Sequence, residues 1–208
     1  PGMLKYVDTN NDGVIDDKDK VALGQALHPL YGGFTSTLGY KGFTLTAFFN
    51  FAVGGSIFNS NVAKLEQYTG GNNNAYRYTL DCYRNTNPII GDQGYRGGYY
   101  PTPTSYSSAS TARLYTQNVI DKWVQDASYL RLKTLSLAYA LPDKYLKSIY
   151  MRGLTVGVSM NNFFTWTKYK GYDPEASSSV GTSNSKIGID YSSYPAVKTV
   201  LINLSLNF

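Results

Sequence analysis

The chain has 208 residues, of which 20 Tyr, 9 Phe and 2 Trp make up 15%, whereas charged residues make up only 16%, well below the roughly 25% of an average soluble domain. A hydrophobic content of 42%, a mean hydropathy of −0.29 and no run approaching the ~18 apolar residues a spanning helix needs exclude a helical membrane protein, but not a membrane β-barrel, whose strands alternate. The net charge of +5 comes from Lys and Arg scattered singly, which argues against a nucleic-acid partner, and a lone Cys82 with a lone His28 excludes an internal disulfide and a Cys/His zinc set.

The sequence opens at Pro1 with neither an initiator Met nor a signal-like apolar segment, as expected of a processed product or a piece of something longer. The first motif follows at once. Asp8, Asn10 and Asp12 stand at positions 1, 3 and 5 of an EF-hand-like loop, Gly13 at the turn position 6, Val14 with its carbonyl at 7, Asp16 at 9 and Asp19 at 12. Hard oxygen ligands at alternate positions let one turn of chain wrap a calcium ion, so these residues, all but Gly13, are the expected metal ligands and calcium the expected cofactor. Asp19 departs from the pattern, since its carboxylate reaches less far than the usual glutamate. Asp, Asn and Gly clusters also form ordinary turns without metal.

Strand signals come next. Gly33 to Tyr40 alternates apolar and small polar residues, Lys41-Gly42 reads as a tight turn, and Phe43 to Phe51 resumes the alternation, which predicts a hairpin. From Gly54 to about Asp126 the periodicity dissolves into Gly, Asn, Ser, Thr, Pro and Tyr, a connection long enough to be functional or to carry small elements of its own. Tyr129 to Leu141 places Leu135, Leu137, Tyr139 and Leu141 on one face and Thr134, Ser136, Ala138 and Ala140 on the other, until Pro142 stops it. Leu154 to Asn161 alternates again, an irregular stretch runs from Lys168 to Pro195, and the last strand sets Val200, Ile202, Leu204, Leu206 and Phe208 against Thr199, Asn203, Ser205 and Asn207, with Leu201 as the exception.

Five strands of about ten residues, joined alternately by short turns and long polar loops, suit an all-β, antiparallel transmembrane barrel. An apolar band of roughly 25 Å sets the strand length, and lipid on one side with water on the other sets the alternation. The same alternation describes a soluble antiparallel sandwich. The asymmetry of loop lengths, together with an aromatic on the apolar face at the last position, favours the barrel.

Together, Asp8 to Asp16, Tyr31-Gly32-Gly33-Phe34, Tyr40-Lys41-Gly42-Phe43, Tyr129-Leu130-Arg131-Leu132-Lys133, Asn161 to Thr167, Gly171-Tyr172-Asp173-Pro174-Glu175 and Phe208 resemble the C-terminal end of SusC/RagA-type proteins, TonB-dependent outer-membrane transporters of Bacteroidetes. The resemblance implies the last five strands of a 22-stranded barrel with long extracellular loops: residues 1–30 an extracellular loop carrying the calcium-type motif, and residues 31–208 barrel wall. The plug and the segment that engages the TonB complex would lie outside this sequence, and Phe208 would be the signal that barrel-assembly machinery reads. It further implies an integral outer-membrane protein in contact with lipid, importing oligosaccharides or peptides with a SusD-like lipoprotein closing over it.

Under that reading the turns at Lys41-Gly42 and Pro142 to Arg152 face the periplasm, and the two long loops face outward. Aromatics in those loops are the candidates for substrate contact, because sugar rings and peptide side chains stack on flat apolar faces: Tyr99, Tyr100, Trp166, Tyr169 and Tyr172. Loop packing and the interfacial aromatic belt are competing roles for each. Arg131 and Lys133, near the outer end of their strand, suit lipid headgroups or the lumen. His28, beside Pro29, reads as a turn residue, Cys82 as an incidental thiol, and Gly94, Gly97 and Gly98 as unconnected with phosphate binding. No nucleophile and base face one another in the motifs, so the chain is read as a non-enzyme. The alternative is a calcium-stabilised surface domain that adheres to glycans without transport.

Overall fold

A computed structural model describes residues 6–66, 74–82, 98–100, 120–146, 151–175 and 187–207. The run from Gly70 to Asn73, Gly94, Gly97, Pro101 to Pro103 and the terminal Phe208 lie outside them. In chain order the elements are β1 (Leu30–Tyr40), β2 (Phe43–Val53), β3 (Ser56–Asn59), α1 (Ser60–Glu66), β4 (Val124–Asp126), β5 (Tyr129–Ala140), α2 (Asp143–Leu146), β6 (Gly153–Thr167), β7 (Ile189–Asp190) and β8 (Thr199–Asn207), with short 3-10 turns at Asp17–Asp19, Arg77–Leu80 and Asp121–Trp123. The chain forms two compact units, one of Pro1–Gly24 with Phe58–Val124 and the other of Gln25–Ile57 with Gln125–Phe208.

The second unit is built on a five-stranded sheet in the order β1-β2-β5-β6-β8, antiparallel throughout, and a small sheet in the order β4-β3-β7 accompanies it. The predicted hairpin is present: Tyr40 pairs with Phe43, and between them Lys41 and Gly42 have φ of 46° and 88°. Two successive left-handed residues make the turn whose twist matches that of the flanking strands. A Cβ at Gly42 would also come within 2.8 Å of the Ala140 carbonyl oxygen, so glycine is required there twice over.

Because successive side chains of a strand point to opposite faces, the register divides the sheet into two surfaces. One carries the rungs Tyr40/Phe43/Tyr139/Val156/Leu204, Leu38/Leu45/Leu137/Val158/Ile202 and Ser36/Ala47/Leu135/Met160/Val200, followed nearer the long loops by Phe34/Phe49/Leu132/Phe164. The other carries Gly39/Thr44/Ala138/Gly157/Asn203, Thr37/Thr46/Ser136/Ser159/Leu201 and Thr35/Phe48/Thr134/Asn161/Thr199, then Gly33/Asn50/Arg131/Thr165. Leu201 falls on the polar side, the exception read from the sequence.

A bulge keeps the apolar surface unbroken. Phe48 pairs with Thr134 and Phe49 with Leu132, leaving Lys133 as an extra residue relative to β2; on β6, Asn162 and Phe163 stand opposite it, with Asn162 at a left-handed φ of 58°. Without that slip Leu130 and Leu132 would fall on the polar face. This is also why β6 runs to Thr167, six residues past the Asn161 limit read from the alternation: the strand continues, but its period-2 pattern is interrupted.

No second layer of described residues covers the apolar surface. Leu38 is 64% exposed, Ile202 78% and Leu204 63%. The small buried cluster of the unit, Ile57, Ala127 and Tyr169, lies beyond the loop end of the sheet, where the Ala127 amide donates to the Gly55 carbonyl (2.9 Å) and His28 Nε2 meets the Ala127 carbonyl oxygen (3.1 Å). No described helix is long and apolar enough to cross a membrane.

Candidate functional site

At the loop end of the polar face a charge is buried. Arg131 is the third residue of β5, and its side chain is only 3% exposed. All three of its nitrogens are engaged: Nη2 donates to Asp173 Oδ1 (2.5 Å), Nη1 to Glu175 Oε2 (2.6 Å) and Nε to Thr165 Oγ1 on β6 (3.0 Å). Glu175 Oε1 accepts from the Tyr129 hydroxyl (2.5 Å) and from Asn50 Nδ2 (3.1 Å). The guanidinium and Glu175 together fasten the Gly171 to Glu175 segment to three adjacent strands, β5 and β6 through Arg131 and β2 through Asn50, with the planar fork that suits paired carboxylates. The structure places Arg131 on the polar face of the sheet.

Asp173 holds more than the arginine. Its Oδ1 also accepts the Glu175 amide (3.0 Å) and its Oδ2 the Ala196 amide (3.0 Å), which ties the chain leaving β6 to the chain approaching β8. Burial works against its ionisation, but the Arg131 hydrogen bond and the two amides outweigh that and hold its carboxyl below the ordinary carboxylate range. Asp190, fully buried, makes a second tie of the same kind: Oδ2 accepts the Tyr169 hydroxyl (2.6 Å) and Oδ1 the Ser193 amide (3.1 Å). Burial, and then the bond to Asp190, push the Tyr169 hydroxyl well above the ordinary tyrosine value.

The structure separates the five aromatic candidates. Tyr169 is 5% exposed and committed to Asp190. Trp166 lies on the apolar face, its ring stacked with Phe164 at 6.1 Å. Tyr172 is 80% exposed, although residues on both sides of it are anchored. Tyr99 and Tyr100 belong to the other unit, where Tyr76, Tyr78, Tyr100 and Tyr99 form successive ring contacts of 4.9, 5.2 and 5.2 Å and Lys122 Nζ lies 4.5 Å from the centre of the Tyr100 ring. Glu66 is the polar hub there, accepting from Tyr78 (3.0 Å) and Trp123 Nε1 (2.8 Å) and pairing with Lys122 (2.9 Å). Burial and Glu66 raise the Tyr78 hydroxyl above its usual value. Cys82 is buried, with its backbone bridged to Tyr100.

The acidic loop is closed by its own amides. Asp8 accepts from Asn11 (2.7 Å) and Gly13 (2.8 Å), Asn10 Oδ1 from Asp12 (2.9 Å), Asp12 Oδ1 from Val14 (2.8 Å) and Asp16 Oδ1 from Lys18 (2.8 Å), while Asp19 accepts from Thr9 (2.8 Å) and Asp16 (2.9 Å). The Asp16 and Thr9 amides hold the Asp19 carboxyl below its ordinary value. Among the described residues no three His, Cys, Asp or Glu side chains gather as a metal cluster. The donor chemistry still suits calcium, because an ionised carboxylate has about four acceptor positions and the amides take only part of them.

Sequence reasoning identified the segment from Gly171 to Glu175 but not its joining to Arg131, Ala196 and Asn50, nor the second tie through Asp190. These contacts span 21 to 125 residues of chain except within each limb, and no local pattern announces them. The available signal was chemical: one arginine amid Thr, Ser, Gly and Ala on the polar face of a strand needs a carboxylate partner.

No protein-family model matches the chain. Over all of its length it is 32% identical to TonB-dependent receptor P3 and 30% identical to TonB-dependent receptor P26, both of Formosa agariphila, and over 98% of it 28% identical to TonB-dependent receptor SusC of Bacteroides thetaiotaomicron. It spans 19%, 20% and 17% of those proteins. Among solved structures it resembles a chain of the RagAB peptide importer in the open-open state, with a TM-score of 0.60 and 25% identity over 88% of this chain and 17% of that one. A chain of the RagAB peptide transporter gives a TM-score of 0.65 at 23% identity, over 95% and 20% of the two chains, a likeness of fold alone. Matched from end to end by proteins of one kind and sharing their antiparallel β architecture, this chain belongs with the TonB-dependent receptors of the SusC/RagA kind, of which it spans about a fifth.

Proposed function

We propose that the five long strands are barrel wall from an outer-membrane, TonB-dependent importer of oligosaccharides or peptides that works with a SusD-like surface lipoprotein. The apolar rungs face lipid, the polar rungs face the lumen, and the two long connections stand outside the cell. The observation that carries this is the continuous apolar surface across all five strands, exposed at its centre and bordered by aromatics at both ends: Tyr40, Phe43 and Tyr139 near the short turns, Phe34, Phe49, Phe164 and Trp166 near the long loops. A soluble sheet buries such a face; a barrel turns it to the bilayer and places aromatic girdles at the two interfaces. Strands continuing from β1 and β8 would close the barrel, 22 in all. The peptide reading draws on the RagAB peptide importer and the oligosaccharide reading on kinship with SusC-type receptors. The same exposed face speaks against the alternative, a glycan-adhering domain standing alone in water.

The test is uptake by cells expressing the full-length protein with its lipoprotein, with and without TonB. Labelled starch oligosaccharides and labelled casein peptides distinguish the two solute classes. Accumulation of either that requires TonB is expected; accumulation of neither, or equal accumulation without TonB, sinks the importer reading.

For the acidic loop the proposal is calcium held by Asp8, Asn10, Asp12, the Val14 carbonyl, Asp16 and Asp19, stiffening residues 6–20 on the outer side. Its support is the ligand spacing and the Asp8 carboxylate already drawn to the Gly13 amide. Calcium added to the metal-stripped full-length protein should raise its melting temperature, and Asp8→Asn with Asp12→Asn should abolish the rise; an unchanged melting temperature in the unmodified protein refutes it.

A further inference from the structure

Two tyrosines stand out among the residues tied down at the loop end of the sheet. Tyr172 is 80% exposed and Tyr194 86%, yet neither lies on a free length of chain. Tyr172 is bracketed by Tyr169, whose hydroxyl is bonded to Asp190, and by Asp173, which is bonded to Arg131. Tyr194 is bracketed by Ser193, whose amide is bonded to Asp190, and by Ala196, whose amide is bonded to Asp173. The same two buried carboxylates thus tie the chain on both sides of both rings, through side chains around Tyr172 and through backbone amides around Tyr194. Pro174 and Pro195 stiffen the two limbs further.

Exposed tyrosines on mobile loops would bind weakly, because ordering them costs conformational entropy on every encounter. Here that ordering is built into the fold, and an aromatic ring adds only its two side-chain torsions. We propose that Tyr172 and Tyr194 are solute-stacking residues, with Asp173 and Asp190 as the positioning residues that present them. The chemistry they would recognise is a ring with a flat face of C–H groups, which a pyranose and a proline or aromatic side chain of a peptide both provide. This rests on the importer reading and adds to it the residues that grip the solute. Tyr194 lies in the same long connection as Tyr172 but was not among the aromatics singled out from the sequence.

The experiment uses the full-length protein with its lipoprotein in detergent, titrated separately with a partial starch hydrolysate and a tryptic digest of casein. Whichever mixture the unmodified complex binds should be bound about three- to tenfold more weakly by Tyr172→Ala and by Tyr194→Ala, while Tyr172→Phe and Tyr194→Phe, which keep the ring, restore affinity to near the original. Asp190→Asn should weaken binding as well and broaden the fluorescence anisotropy decay of a tryptophan placed by Tyr172→Trp. Binding of a mixture by the unmodified complex with equal affinity in both alanine variants overturns the stacking role and leaves the importer reading standing. Binding of neither mixture by the unmodified complex overturns the importer reading and this inference with it.

Discussion

Arg131 neutralises two carboxylates in a place water hardly reaches, and its removal is expected to cost more than any other single truncation on the polar face. Arg131→Met would leave Asp173 and Glu175 mutually repulsive and Asp173 buried without its cation, a loss of about 3–5 kcal/mol, measurable as a lower urea midpoint of the full-length protein in detergent. Adding Asp173→Asn to that variant should recover part of the loss. The pH dependence follows from the same contacts. Asp173 is held below its ordinary value in the fold, so its contribution is complete above the unfolded carboxylate value of ~3.9 and disappears as pH falls through the lower folded value. Hydrogen exchange at Tyr172 to Glu175 and Ser193 to Ala196 should therefore accelerate below about pH 4, while the central rungs of the sheet stay protected. Acceleration already between pH 5 and 7 would contradict that account.

At the scale of the strand, the two faces should respond oppositely to charge. Ile202→Arg, in the middle apolar rung, should destabilise the protein in a bilayer by about 2–4 kcal/mol, whereas Thr46→Arg, opposite Ser136 on the other face, should be tolerated much better. Equal sensitivity at the two positions would remove the support for lipid on one side only. The bulge has its own signature. Asn162 is left-handed, so Asn162→Val should cost about 1–2 kcal/mol of strain, and Asn162→Gly much less, its main loss being the side-chain bond to the Val197 carbonyl oxygen (3.0 Å). These elements also show what the sequence could reveal. The hairpin was legible because Lys41-Gly42 and the flanking period-2 runs are local signals, and the exposed Leu201 was legible as a break in one. The outer part of β6 was not, because the extra residue at Asn162 and Phe163 shifts the phase and makes Asn161 look like a strand end. The ties through Asp173 and Asp190 were not, because they join residues from different segments and depend on register rather than on pattern.

For the molecule as a whole, two facts of the described residues act together: an apolar face open across five strands, and edge strands β1 and β8 each with one side unpaired by the sheet. Either alone invites association, and both in one chain make independent solubility unfavourable. The 23.0 kDa chain expressed alone is expected to aggregate in detergent-free buffer; a monodisperse, folded monomer there would favour the stand-alone adhesion domain over the barrel wall. The long connection from Gly54 to Asp126, irregular in its composition, holds small elements of its own among the described residues: β3, α1, two 3-10 turns and β4.

The extra residue Lys133 has a further consequence for anyone labelling this strand one position at a time. Along β5, positions 134, 136 and 138 share the polar side with 129 and 131, so the parity of sites on that side reverses across Lys133. A cysteine scan with a membrane-impermeant thiol reagent would report even numbers on one side of that residue and odd numbers on the other. Averaged over the strand, such a scan would resemble a segment with no sidedness at all, although every residue in it has one.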